Sequence, residues 1–139
     1  MDFRFKPEQE EFRKEFVSWL ETNLPDGWDP TRYRNYENQE ELKHAYKDFQ
    51  KALFNAGYAA MHYPKEYGGQ GRTLMEEIIV LQCCSTTCIE LRFPGVVTHG
   101  MAVPTIFTCG SEEQKKMFLP KIFDGTHIWC QGFSEPDAG

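Results

Sequence analysis

An all-α fold, a bundle of about five to six helices, is what the sequence predicts. Three observations carry the prediction. Apolar residues recur at three- and four-residue spacing through most of the chain, helix-start signatures punctuate it at Asn38, Thr73 and Ser111, and only the short run Ile128 to Phe133 is β-prone. At 139 residues the chain is long enough for one domain with its own core and too short for a second complete one.

Pro7-Glu8-Gln9-Glu10-Glu11 opens the first helix, since proline is tolerated in the first turn and acidic residues suit the positive end of the helix dipole. Phe12, Phe16, Trp19 and Leu20 give it one apolar face, and it stops near Leu24, before Pro25 and Gly27. Residues 26–37 have no period and read as a surface connection, in which Arg32 and Arg34 are solvated. The second helix begins at Asn38, with Glu41 as a capping partner. It buries Leu42, Ala45, Phe49, Ala52, Leu53 and Ala56, and stops at Gly57.

Gly68-Gly69-Gln70-Gly71 has neither the Gly-Lys-Ser/Thr of a phosphate-binding loop nor a preceding strand, so it reads as a structural turn. Thr73 and Glu76 have capping-box spacing and open a third helix, apolar around most of its circumference through Ile78-Ile79-Val80-Leu81, Cys83, Cys84 and Cys88. Such a helix belongs in the middle of a bundle. Glu76 and Glu77 are adjacent on it and point in different directions, so capping and dipole stabilisation account for both. The fourth helix, Phe93 to Thr108, contains Pro104, which must kink it or reset its hydrogen bonding. His99 reads as a hydrogen-bonded core residue. Ser111 and Gln114 form another capping box, opening a fifth helix that turns Met117, Phe118 and Ile122 inward and ends near Asp124-Gly125.

Composition narrows the class without naming an activity. Hydrophobic residues make up 40% and charged residues 26%, and a formal net charge of -6 argues against general affinity for nucleic acid phosphates. Cys83, Cys84, Cys88, Cys109 and Cys130 contain no Cys-x-x-Cys pair or zinc-ligand spacing; lying mostly in apolar segments, they predict buried thiols in a reducing compartment. Residues 1–6 lack the pattern of a leader, and no apolar run is long enough to span a bilayer. A cytoplasmic protein is expected.

Three segments in order resemble one family. Pro64-Lys65-Glu66-Tyr67-Gly68-Gly69-Gln70-Gly71 matches the turn Pro-x-Glu-Tyr-Gly-Gly-x-Gly of the acyl-CoA dehydrogenases. Gly110-Ser111-Glu112-Glu113-Gln114-Lys115, continuing through Leu119-Pro120-Lys121-Ile122, resembles the family's Gly-Thr/Ser-Glu-Glu-Gln-Lys-x-x-x-Leu-Pro-x-Ile/Leu. Trp129 to Gly139 resembles its flavin-binding signature, up to Ser134-Glu135-Pro136-Asp137-Ala138-Gly139. The first two helices fit in general character.

The resemblance implies an N-terminal helical domain over 1–126 and, over 127–139, the first strand of a truncated middle β domain. It implies FAD as cofactor and a reaction in which a base removes the α-proton of an acyl-CoA thioester while the β-hydride passes to the flavin, introducing an α,β double bond. By position, Gln131, Gly132, Phe133, Ser134 and Gly139 would contact FAD. The family's catalytic glutamate would lie beyond residue 139, so no catalytic residue is expected here, and the chain alone is expected neither to hold FAD firmly nor to oxidise acyl-CoA. Residues from Phe93 to Phe107 would help wall the acyl cavity. Expected partners are the acyl-CoA substrate, an electron-transfer flavoprotein and further copies of the subunit, with no nucleic acid and no membrane span. The alternatives are a non-catalytic helical interaction module, a truncated subunit, or part of a related acyl-CoA oxidase.

Overall fold

Pro7, with its φ already suited to a helix, begins α1 (Pro7–Asn23), and the Gln9 side chain accepts the Lys6 N–H at 2.8 Å, satisfying a donor the helix itself cannot. The computed structural model describes residues 4–30, 38–87, 89, 96–132, 134, 135 and 137. Within them the fold is all-helical. α2 (Gln39–Asn55) is capped by Asn38, whose side-chain oxygen accepts the Glu40 N–H at 2.9 Å. α3 (Leu74–Thr86) and α5 (Glu112–Phe123) start at Thr73 and Ser111 with both capping boxes formed as their spacing predicts. Arg32 and Arg34, Cys88, and residues 93–95 of the expected fourth helix lie outside the described residues.

The proline in the fourth helix resolves as chemistry requires. Pro104 offers no amide proton to the carbonyl four residues back, and the chain runs as a π-helix over Val96–Ala102 before entering α4 (Val103–Cys109), where the proline occupies the first turn. The change of helix type spares α4 an unmade interior hydrogen bond.

Two apolar clusters fill the bundle. In the first, Phe12, Phe16 and Leu20 of α1 meet Phe49 and Leu53 of α2 and Ile79, Val80, Cys83 and Cys84 of α3, with Tyr58 edge-on to Phe16 at 4.8 Å between ring centroids. In the second, Tyr67 and Val103 pack with Leu119, Ile122 and Phe123 of α5; Phe54 lies against both clusters. Gln50 is buried between them, and its side-chain amide donates to the Phe123 carbonyl at 2.8 Å.

Several sequence expectations change here. Met117 is 55% exposed, because Leu119, Ile122 and Phe123 occupy the inward face of α5 and Met117 falls on the opposite side. α3 is not covered all round: Leu74 and Ile78 are 59% and 44% exposed. Of the cysteines, Cys83 and Cys84 are buried, whereas Cys109 and Cys130 are exposed. The β-prone run from Ile128 is not helical, and within it Trp129 turns its main chain to Thr98. Among the described residues no helix is long and apolar enough to cross a membrane, and no group of His, Cys, Asp and Glu could hold a metal ion.

Candidate functional site

The terminal segment leaves the bundle from a fixed point. Thr98, fully buried in the π-helix, donates its hydroxyl to the Trp129 carbonyl at 3.1 Å and accepts the Trp129 N–H at 3.0 Å. The Trp129 ring stands edge-on to Phe118, with 5.3 Å between centroids. Beyond this anchor, Gln131, Gly132 and Ser134 are exposed, and a side chain at Gly132 would meet nothing within 4 Å. Phe133 and Gly139 lie outside the described residues. What the chain offers a flat polar ligand here is therefore open main chain and the Ser134 hydroxyl. These residue types suit one edge of a flavin, and Glu135, also exposed, stands beside them.

The glycine-rich turn is structural, as its sequence context indicates. Gly68 closes a short 3-10 helix (Lys65–Tyr67) at φ 87°, a left-handed conformation that favours glycine, and rests on Pro120 of α5. Gly69 is closer still: a Cβ there would lie 2.1 Å from the Tyr63 carbonyl oxygen. The Tyr67 hydroxyl donates to Glu112 at 2.6 Å, and Lys115 lies 2.9 Å from the same carboxylate and 5.8 Å from the Tyr67 ring centroid. The hydrogen bond to Glu112, then burial, pushes the phenol up to about 12; the same bond, with Lys115, lowers the Glu112 carboxyl. Two segments far apart in sequence thus lock into one unit, and Trp129 joins it through Phe118 on the same helix.

Beside this unit lies a cavity of about 330 Å³. Its walls come from the end of α2, the segment 58–63, α3, the π-helix and α4, with Leu53, Val80, Leu81, Val103 and Phe123 among its apolar lining. His99, half-buried, lines it with Gly100, so it sits at a cavity wall rather than deep in the core.

The polar end of the cavity holds a pair that sequence reasoning missed. Glu77 does not cap α3. Its Oε2 accepts both the main-chain N–H of His62, at 3.2 Å, and the Nδ1 of the His62 ring in a short hydrogen bond. Glu76 alone does the capping, through Thr73, and also meets Arg72 at 3.2 Å. The only signal in the sequence was a histidine just before the turn and a second acid where one suffices for a cap.

Residues 6–126 match the family model described as acyl-CoA dehydrogenase, N-terminal domain. The chain is 32% identical over its whole length to acyl-CoA dehydrogenase FadE26 of Mycobacterium tuberculosis and covers 34% of that protein. It is 33% identical over 95% of its length to acyl-CoA dehydrogenase IpdE1 of Mycolicibacterium smegmatis, again covering 34%. The chain in the crystal structure of the ChsE4-ChsE5 complex from M. tuberculosis superposes with a TM-score of 0.72 at 32% identity, over 100% of this chain and 33% of that one. The chain spans about a third of the length of these curated relatives.

Proposed function

Because the chain belongs to the acyl-CoA dehydrogenase family through its N-terminal helical domain, we propose that it serves as that domain of an FAD-dependent enzyme introducing an α,β double bond into an acyl-CoA thioester. The observation that carries this reading is the convergence of the three motif segments on α5: Tyr67 and Gly68 on Glu112 and Pro120, and Trp129 on Phe118. The motifs are separated in sequence, yet each supports the next in space, as parts of one binding scaffold would.

In this reading residues 1–126 form the helical domain and 127–139 open the β domain. FAD, when bound, supplies the hydride acceptor. Gln131, Gly132, Phe133, Ser134 and Gly139 would hold one edge of it, their amides and the Ser134 hydroxyl serving as donors to an electron-rich ring. The cavity between α3 and the π-helix would seat the far end of the acyl group, where apolar walls exclude water. No residue of this chain takes the α-proton; that base lies elsewhere in the enzyme. An electron-transfer flavoprotein is the proposed acceptor, the cytoplasm the proposed compartment, and copies of the same subunit the proposed assembly. A second, different chain is the competing assembly, favoured by the two-component complex among the similar structures.

Purification of the native polypeptide carrying these residues tests the reading. It should show flavin absorbance that bleaches on addition of acyl-CoA, and should reduce an artificial dye. The 139-residue chain expressed by itself should do neither. A flavin-free native product would favour the helical interaction module, and turnover by the isolated chain would overturn the assignment of the base to another part of the enzyme.

A further inference from the structure

We infer that the cavity between α3 and the π-helix is built for an apolar ring or chain that carries a hydroxyl group, read by His62 under the control of Glu77. The inference rests on the acyl-CoA reading above and narrows its substrate class to acyl groups hydroxylated away from the thioester.

An ionised Glu77 can only accept, so the proton that the His62 ring keeps when neutral sits on Nδ1, where it meets Oε2. The main-chain N–H of His62 donates to the same oxygen at 3.2 Å, which fixes the carboxylate and leaves the ring little freedom to turn over. Nε2 is then the polar atom left to the ligand. It makes no hydrogen bond among the described residues, while the His62 side chain is 32% exposed and lines the cavity. Tyr63 packs against the ring at 4.1 Å between centroids and restricts it further.

A neutral imidazole fixed in this way presents a lone pair, and the ligand must bring a donor. A hydroxyl does so, whereas a ketone offers only an acceptor. A carboxylate would meet the negative Glu77, and an ammonium would lose its hydration against Leu53, Val80, Val103 and Phe123. The volume of about 330 Å³ admits a ring as well as a chain, at the lower end of the range for small-molecule sites. The apolar walls supply affinity, and the His62–Glu77 pair decides which apolar group is accepted.

The test uses the full native polypeptide and two probes, the CoA thioesters of cyclohexylpropanoate and of its ring-hydroxylated analogue, with titration calorimetry and the nitrogen chemical shifts of the histidine side chains as readouts. The hydroxylated thioester should bind about tenfold more tightly, the size of one well-made hydrogen bond, and should move the Nε2 signal of His62 where the plain thioester does not. His62→Phe should abolish that preference. Glu77→Gln should reduce it, because the amide can no longer dictate the tautomer. Equal affinity for the two thioesters in the native protein, or a preference that survives His62→Phe, would overturn the inference. The free hydroxylated and plain ring alcohol and hydrocarbon separate the two claims. If they show the preference while neither thioester binds, the pocket stands and the acyl-CoA reading falls; if both thioesters bind alike, the reading stands and the pocket's selectivity falls.

Discussion

Tyr67 stays neutral far into the alkaline range because its proton is shared with Glu112, and the consequence for stability has a definite sign. A phenol whose folded value is raised from 10 to about 12 contributes stability in full below pH 10 and loses it as pH rises through about 12. Glu112, whose value is lowered by the same bond, contributes above the ordinary carboxylate range and loses its contribution as pH falls through its folded value. Ultraviolet titration should therefore show Tyr67 ionising late, and Glu112→Gln should bring it back toward the ordinary phenol value. At Gly69 the expectation is steric: Gly69→Ala forces a methyl against the Tyr63 carbonyl and should cost roughly 1–3 kcal/mol in denaturant unfolding. Burial pushes the thiols of Cys83 and Cys84 up, so limited alkylation followed by mass spectrometry should label Cys109 and Cys130 before either of them. The turn at Gly68 was legible in the sequence because a glycine cluster without a phosphate-loop context has one common explanation. The His62–Glu77 pair was not, because it joins different elements across fifteen residues and obeys no period.

At the scale of elements, the helix starts were the most readable feature. Thr73 and Ser111 cap α3 and α5 with the residues their spacing selects, since capping is a local hydrogen-bond problem with a local solution. Thr73→Ala or Ser111→Ala should each cost about 1 kcal/mol, visible as a lowered denaturation midpoint with an unchanged slope. Pro104 announced an interruption but not its form: the π-helix depends on where Thr98 and Val103 must be buried, which is a tertiary requirement. Facing was less legible than location. Met117 looked as apolar as Leu119, and only the position of the neighbouring helix decides which of them turns inward.

For the whole molecule, the core is where sequence and structure agree best, because an aromatic stripe such as Phe12, Phe16 and Leu20 has few places to go except against another apolar face. Phe16 is fully buried and touches Trp19 and Tyr58, so Phe16→Ala should destabilise by about 3–5 kcal/mol in chemical denaturation. The candidate cofactor segment was legible as a motif rather than as geometry, since Gln131, Gly132 and Ser134 are exposed beyond the Trp129 anchor. The clamp of Thr98 on Trp129 gives that segment a search volume. Gln131 is two residues from a pinned main chain, so it can stray no more than about 7 Å from the anchor. A ligand meeting Gln131 or Gly132 finds a short tether whose start is already fixed, which spares part of the ordering entropy. Thr98→Val, which keeps the shape and removes both hydrogen bonds, should lengthen that tether and speed hydrogen exchange at the Trp129 amide.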